Sequence, residues 1–201
     1  ADFNDAILAR VDLRDANLTM SRIQNTRLSK NIFTNDDDSE SDLFRWFIGG
    51  HQKYVPHLIS LFAPNVNSYR RFTKDQSAPI NMEWGYDNRT AGLRIPHSSP
   101  SARRLENRFS GADANPYLAI AASLASGLLG IMNKIEPSEA CTESAYDKDI
   151  TISRTLNEAL LRLDDLDEIK KLLGEEFITA YIHVKDEEYN EFNKVISSWE
   201  R

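Results

Sequence analysis

The first part of the chain repeats its large apolar residues every five positions. One position of the repeat holds Phe3, Leu8, Leu13, Leu18, Ile23, Leu28 and Phe33, and small residues dominate two positions earlier. A helical face returns about every 3.6 residues, so a period of five does not keep one face of a helix. The pattern predicts a coil of five-residue units over residues 1–30. An amphipathic helix with an accidental period is the alternative.

The middle of the chain shows both helical and extended patterns. Apolar residues at helical spacing predict a helix over residues 42–62, in which Gly49-Gly50 is a candidate break. Two strands are predicted over residues 82–95 and 102–109. A helix from Asn115-Pro116 to about residue 135 follows, because proline suits the first position of a helix.

The C-terminal third is predicted to be helical. Thr155-Leu156-Asn157-Glu158 has the spacing of a capping box, and Gly174 suits the end of the helix that starts there. Two further helical segments are predicted over residues 175–184 and 186–197. The sequence therefore predicts a mixed domain with helices on either side of a short strand region.

Composition and charge exclude several classes of protein. The 201 residues suffice for one domain with a small appendage. The net charge of -7 argues against nucleic-acid binding. Cys141 is the only cysteine, which excludes an intramolecular disulfide and predicts a cytoplasmic location. No apolar run is long enough for a membrane span, and no signal peptide opens the sequence, so no membrane partner is predicted.

The second predicted strand carries the charges that matter most. Strand side chains alternate between faces, so Arg104, Glu106 and Arg108 are expected on one face, with Leu105 and Phe109 directed toward a core. A carboxylate between two guanidinium groups suits a site for phosphate, a metal ion and a substrate carboxylate. A solvated ladder of ion pairs is the alternative.

Neighbouring motifs extend this cluster. They are Asn67-Ser68-Tyr69-Arg70-Arg71, Asn88-Arg89-Thr90, Arg94-Ile95-Pro96 and Ala114-Asn115-Pro116-Tyr117-Leu118. Together with Arg103 to Arg108, these ordered motifs resemble the C-terminal part of the glutamine synthetase catalytic domain over residues 31–201. The sequence of residues 84–90 is similar to that of the family branch that includes glutamate–polyamine ligases. Residues 1–30 resemble a pentapeptide-repeat β-solenoid.

The resemblance implies an α+β fold: a partial glutamine synthetase catalytic domain preceded by a short pentapeptide-like β-solenoid. The expected domains are residues 1–30 for the repeat segment and 31–201 for the catalytic part. The repeat segment supplies fewer than two coils, and such repeats need neighbours to be stable. A homo-oligomer is therefore expected.

The resemblance also implies a reaction, in which ATP activates glutamate as a γ-glutamyl phosphate that ammonia or an amine then attacks. Mg²⁺ or Mn²⁺ is the implied cofactor. By resemblance, glutamate or the transferring phosphate is contacted by Arg71, Arg94 and Arg108, with Arg94 also catalytic. Nucleotide phosphates are contacted by Arg89 and Arg104, and Glu106 is the implied metal ligand.

Two departures from the family pattern leave enzymatic activity open. Ser77 stands before Ala78-Pro79, where the family has a glutamate, and serine cannot act as that carboxylate. The other metal ligands of the family lie N-terminal to the matched region. The isolated chain is therefore expected to be inactive, and a non-catalytic assembly or interaction module is the alternative function. The four histidines are expected to be structural or on the surface.

Overall fold

The computed structural model describes residues 7–8, 27–28 and 33–197. Its helices are α1 (Asp42–Phe62), α2 (Pro116–Met132), α3 (Leu156–Asp164), α4 (Asp167–Leu173) and α5 (Glu175–Asn193). Its strands are β1 (Ile7–Leu8), β2 (Arg27–Leu28), β3 (Trp84–Tyr86), β4 (Leu93–Ile95) and β5 (Glu106–Asn107). Short 3-10 turns lie at Val66–Arg71, Pro100–Ala102 and Ala145–Asp147. The expected mixture of helix and sheet is confirmed.

The predicted first helix is confirmed as α1. The Ser41 hydroxyl accepts from the Phe44 amide and caps the helix. The helix continues through Gly49-Gly50, so the candidate break is wrong. The glycines are there because α2 crosses at this point, and the backbone of Gly50 lies against that of Gly130. Small residues on both helices therefore allow a close crossing.

The strand region is more divided than the sequence predicts. Strands β3 and β4 are parallel, and β5 runs antiparallel to β4 at the edge of the described sheet. The predicted strand over 82–95 is wrong because a loop interrupts it. The Asn88 side chain accepts from the amide and hydroxyl of Thr90, which closes this loop. The predicted strand over 102–109 is reduced to β5.

The C-terminal helices also differ from the prediction. The helix predicted to run to Gly174 is divided, because Leu166 adopts a non-helical backbone and packs against the core between α3 and α4. The two segments predicted beyond Gly174 form one helix, α5. Pairs between Lys185 and Glu188, and between Asp186 and Asn190, stabilise α5 across the predicted gap.

The core lies where α1 meets α2, α3 and the inner face of the sheet. Its largest fully buried side chains include Phe44, Tyr54, Phe62, Phe72 and Phe109. Phe109 follows β5, so the core fixes the strand that carries the charged motif. Among the described residues, no helix has the length and apolarity that crossing a membrane requires.

The predicted five-residue coil falls mostly outside the described residues. The described parts, β1 and β2, pair in parallel, with Ile7 opposite Arg27 and Leu8 opposite Leu28.

Candidate functional site

Arg94 and Glu106 form the centre of the site. They lie directly opposite each other on β4 and β5, and Arg94 Nη1 donates to Glu106 Oε2 at 2.9 Å. Arg94 Nη2 donates to the Asp87 carboxylate. The Arg94 side chain is only 15% exposed, whereas that of Asp87 is 61% exposed. One largely buried guanidinium therefore bridges two carboxylates at the edge of solvent.

The hydrogen bond between Arg94 and Asp87 stabilises the charged form of both side chains. The hydrogen bond from Arg94 lowers the pKa of Asp87, and the same bond raises the pKa of Arg94. Arg94 Nε is buried without a hydrogen-bond partner. The guanidinium is thus held in place but keeps an unused donor.

Arg108 joins the same cluster and ties two loops to it. Its Nε lies 3.6 Å from Glu106 Oε1. Nη1 donates to the carbonyls of Ala91 and Arg89, and Nη2 donates to the Ser77 carbonyl at 2.8 Å. Arg108 therefore holds the loop before β4 and the loop that contains Ser77 against the charged face of the sheet.

Ser77 lies in a constrained loop. It has a φ of 64°, in the left-handed region that side chains disfavour. The next residue, Ala78, accepts a hydrogen bond from the buried Tyr146 hydroxyl. Two successive carbonyls are thus fixed by Arg108 and Tyr146, and no carboxylate stands at position 77.

Arg71 contacts the segment just after β5. Its Nη2 donates to the Phe109 carbonyl, and its guanidinium stacks on the Phe72 ring at 4.1 Å. Burial lowers the pKa of Arg71, while the nearby Asp113 opposes that change. Asp113 itself accepts hydrogen bonds from Asn65 and Ser68, so it links the turn that carries Arg71 to the loop after β5.

The structure does not bring every predicted residue into the cluster. Arg104 is exposed and its Nη1 donates to the carbonyl of Ala102, so the expectation that it shares a strand and a set of contacts with Glu106 is wrong. Physically, β5 is only two residues long, so Arg104 and Arg108 both lie outside it, although Arg108 still contacts Glu106. The Arg89 side chain is exposed, and its contribution here is the carbonyl that Arg108 binds.

Three residues of the site were not identified from the sequence. Asp87 accepts a hydrogen bond from Arg94, and Asp113 is a nearby charge that opposes the lowering of the Arg71 pKa. Arg103 holds the segment before α1 through the carbonyls of Phe33, Asp38 and Ser39. The sequence signal that could have identified Asp87 is its position immediately before the Asn88-Arg89-Thr90 motif. That its partner is Arg94 on β4 is evident only from the fold of the loop.

The described residues do not form a metal site by themselves. Among them, no group of three or more histidine, cysteine, aspartate or glutamate side chains is close enough to hold an ion. Both Glu106 oxygens already face arginines. His51 is buried, His57 Nδ1 bonds the Arg162 carbonyl, and His97 and His183 are exposed, so their structural or surface role stays a prediction.

Arg108→Lys is expected to loosen the loop that contains Ser77. A lysine ammonium cannot reproduce the fork that reaches several carbonyls, and loss of about 1.4 kcal/mol of local stability corresponds to tenfold faster opening. We expect amide hydrogen exchange over residues 73–79 to rise about tenfold in the variant. Arg104→Lys is the matched control and should leave this loop unchanged. Equal exchange in all three proteins would contradict the assignment.

Comparison with known proteins adds independent findings. The sequence model described as "Glutamine synthetase, catalytic domain" matches residues 20–201. "Type-1 glutamine synthetase 2" of Dictyostelium discoideum is 37% identical over 182 residues, which is 87% of this chain and 35% of that protein. "Gamma-glutamylputrescine synthetase PuuA" of Escherichia coli is 34% identical over 179 residues, which is 89% of this chain and 38% of that protein.

A solved structure agrees with these sequence matches. The structure titled "Apo GmaS without ligand" superposes on this chain with a TM-score of 0.75 at 29% sequence identity. The superposed region covers 86% of this chain and 40% of the GmaS chain. The chain thus spans well under half of the length of these relatives.

Proposed function

Since the chain belongs to the glutamine synthetase catalytic-domain family, we propose that it forms part of a ligase that joins glutamate to ammonia or an amine at the expense of ATP. The names of similar proteins support this reaction class: they include glutamine synthetases, "Gamma-glutamylethanolamide synthetase GlnA4" and "Glutamate--isopropylamine ligase". The chain spans 34% to 42% of these relatives, so the proposal concerns a completed domain, and we propose that the isolated chain is inactive.

The observation that carries the proposal is the cluster of Arg94, Glu106 and Arg108 on one face of the sheet. A triphosphate and a dicarboxylate repel each other, and guanidinium groups can hold both anions through paired hydrogen bonds. We assign glutamate or the transferring phosphate to Arg71, Arg94 and Arg108. We assign nucleotide phosphates to the exposed Arg89 and Arg104, whose guanidinium groups are accessible.

The proposed reaction has two steps. An oxygen of the substrate γ-carboxylate attacks the γ-phosphorus of ATP, the bond to the bridging oxygen breaks, and ADP leaves. The amine nitrogen then attacks the γ-carbonyl carbon, phosphate leaves, and the nitrogen gives up a proton. Arg94 and Arg108 stabilise the negative charge that develops in both steps. Ser77 cannot take up that proton as a carboxylate does, so we propose that another group of the completed domain accepts it.

Glu106 is the residue that we assign to a divalent cation, Mg²⁺ or Mn²⁺. One carboxylate does not suffice for such an ion, which takes six or more oxygen ligands. The described residues therefore do not fit the ion alone.

The N-terminal segment is part of the proposal. We propose that residues 1–30 form a short pentapeptide-like solenoid and that the catalytic part begins near residue 31. The parallel pairing of Ile7 with Arg27 supports this, because the two are four pentapeptides apart, the length of one coil. The match to the catalytic-domain family begins at residue 20 and thus overlaps the end of the segment. A homo-oligomer and a cytoplasmic location are proposed with it.

A second candidate function is a non-catalytic interaction module. Ser77, which replaces the family carboxylate, and the absence of a complete metal-ligand set in the described residues favour it. The ligase proposal predicts that a completed domain hydrolyses ATP in the ligation reaction, whereas the interaction-module proposal predicts no turnover.

The test is to complete the domain. We suggest a fusion in which residues 31–201 replace the matched part of the glutamine synthetase of Thermotoga maritima, which is 35% identical over 185 residues. With Mg²⁺, ATP, glutamate and ammonia or putrescine, the fusion should release ADP at about 1 per second. The isolated chain should release none. Arg94→Met in the fusion should lower the rate at least 100-fold, about 2.7 kcal/mol of transition-state stabilisation.

Arg45→Met is the matched control, because Arg45 forms an exposed ion pair with Glu136 away from the site. It should leave the rate unchanged. A folded fusion that releases no ADP with either amine would favour the interaction module. Turnover by the isolated chain would contradict its proposed incompleteness.

A further inference from the structure

A segment between α2 and α3 lies along the sheet and is bound to it. This segment, residues 138–147, is called here the strap, and it contains the short 3-10 turn at Ala145–Asp147. The Cys141 amide donates to the Trp84 carbonyl of β3 at 2.7 Å. A Cβ atom at Gly85 would lie 2.5 Å from the Cys141 carbonyl oxygen, so glycine is needed at this position of the strand. The strap therefore lies directly against β3.

The strap also holds the loop between β3 and β4. The Asn88 side chain donates to the carbonyls of Cys141 at 3.0 Å and Glu143 at 2.8 Å. The Thr90 hydroxyl accepts from the Ala145 amide at 2.8 Å. The loop that carries part of the site is thus bound to the strap at two points, one on each side of its exposed arginine.

The next residue of the strap holds the loop that contains Ser77. The Tyr146 side chain is only 7% exposed, and its hydroxyl donates to the Ala78 carbonyl at 3.1 Å. This loop is strained, because Asp75 has a φ of 62° and Ser77 a φ of 64°. Such backbone conformations persist only where the surrounding structure holds them. The hydrogen bond from Tyr146 is one of the contacts that hold this loop.

Arg108 joins the same two loops. Its Nη1 donates to the Ala91 carbonyl at 2.9 Å, and its Nη2 donates to the Ser77 carbonyl at 2.8 Å. Each of these carbonyls is next in sequence to a residue that the strap binds. The contacts therefore close a ring that passes through Arg108, one loop, the strap and the other loop. A shift of the peptide that Tyr146 binds also shifts the carbonyl that Arg108 binds.

The Ser77 carbonyl sets the direction of the one Nη hydrogen of Arg108 that remains for an anion. Nη1 gives both of its hydrogens to carbonyls, those of Ala91 and Arg89. Nη2 gives one hydrogen to Ser77. Within the part of the chain that the structure describes, the second Nη2 hydrogen is therefore the one available to a ligand. Because a guanidinium is planar, its direction is fixed once the other hydrogens are bound.

We propose that Tyr146 is a positioning residue for Arg108. Its hydroxyl holds the peptide between Ser77 and Ala78 in place, and this peptide orients the guanidinium toward the substrate anion. Tyr146 itself is buried and acts through Arg108 without contacting the substrate. Orientation of this kind matters because a small misplacement of a binding group lowers the rate strongly. The inference rests on the proposed function in assigning Arg108 to glutamate or the transferring phosphate.

A double-mutant cycle in the 201-residue chain tests the positioning. Tyr146→Phe removes the hydroxyl and keeps the buried ring, so we expect amide hydrogen exchange over residues 73–79 to rise about fivefold. Arg108→Lys is expected to raise this exchange about tenfold on its own. In the Tyr146→Phe background it should raise it less than threefold, because the Ser77 carbonyl is then already displaced. Only groups that act on each other show such a reduction.

Tyr181→Phe is the matched control. The Tyr181 hydroxyl also donates to a carbonyl, that of Ser60 at 2.7 Å, but this bond joins α5 to α1. The control should leave exchange over residues 73–79 unchanged. Equal rises in the two tyrosine variants would overturn the positioning role, because they would reflect a general loss of stability. A tenfold effect of Arg108→Lys in both backgrounds would also overturn it, since the two hydrogen bonds would then act independently.

The fusion described above tests whether this positioning affects the reaction. In the fusion, Tyr146→Phe should lower kcat/KM for glutamate about tenfold, whereas Tyr181→Phe should leave it unchanged. An active fusion in which Tyr146→Phe keeps the full kcat/KM would overturn the positioning role. A fusion that releases no ADP would count against the ligase proposal alone, because the exchange cycle still decides whether Tyr146 orients Arg108. The two proposals can therefore fail separately.

Discussion

The Gly50→Leu variant is not expected to fold, so its denaturation should show no cooperative unfolding transition. A side chain at position 50 would enter the crossing of α1 and α2, where its Cβ atom would meet the Ser126 carbonyl and lie 2.6 Å from Gly130 Cα. These neighbours are backbone atoms of a helix, so the strain cannot be relieved by rotating a side chain. Overpacking costs about 1–3 kcal/mol where side chains can adjust and more where they cannot, against a typical total stability of about 5–15 kcal/mol.

Two further variants separate this clash from the general effect of substitution. Gly50→Ala should also destabilise, although alanine favours a helix by about 1 kcal/mol over glycine. Lys53→Leu introduces the same leucine at an exposed position of the same helix and should change stability by less than about 0.5 kcal/mol. Urea denaturation followed by circular dichroism measures all three. A Gly50→Ala protein more stable than wild type would show that the helices do not cross closely.

The helices that the sequence predicts well are those with strong local signals. The prediction of α1 follows from apolar residues at helical spacing, and the start of α2 follows from Asn115-Pro116, where the Asn115 side chain caps the helix. Such signals act within one turn and need no knowledge of the rest of the fold. The predicted break at Gly49-Gly50 failed because glycine there serves a contact with α2, which lies far away in the sequence.

The strands show the opposite behaviour. Alternating residues gave Glu106 and Arg108 a shared face, and their contact confirms that relation. The loop within residues 82–95 was missed because it depends on hydrogen bonds from Asn88 to the carbonyls of Cys141 and Glu143. That loop is also what brings Asp87 to Arg94. The failure to identify Asp87 as a site residue and the wrong strand over residues 82–95 thus have the same cause, the unpredicted loop between β3 and β4.

The arginine-rich cluster could be a solvated ladder of ion pairs or an anion-binding site, and the exposure of its side chains helps to distinguish the two. A solvated ladder of ion pairs would leave its guanidinium groups exposed, whereas Arg94 and Arg108 are each only 15% exposed. Guanidinium groups held this firmly suit recognition of anions better than general solubility. Arg104, which remains exposed and away from the cluster, fits the ladder description more closely.

The free energy of unfolding is expected to fall by about 3 kcal/mol as the pH is lowered from 6.5 to 4, because of His51. The His51 ring is 1% exposed and bonds the Phe47 carbonyl through Nδ1, which therefore carries the proton of the neutral ring. Burial lowers the pKa of His51 to about 4. The unfolded chain takes up a proton near pH 6.5 and the folded chain does not, so acid favours unfolding throughout this interval.

His51→Asn tests the assignment, because an asparagine amide can still donate to the Phe47 carbonyl but does not titrate. The variant starts less stable, since a smaller side chain leaves a cavity, yet its stability should change about 3 kcal/mol less between pH 6.5 and 4. Asp87 and Asp113 have a lowered pKa, so their stabilisation is lost only as the pH falls below their ordinary value of 3.8, outside this interval. Urea denaturation at several pH values measures both proteins. Parallel pH profiles would show that His51 is protonated equally in the folded and unfolded chains.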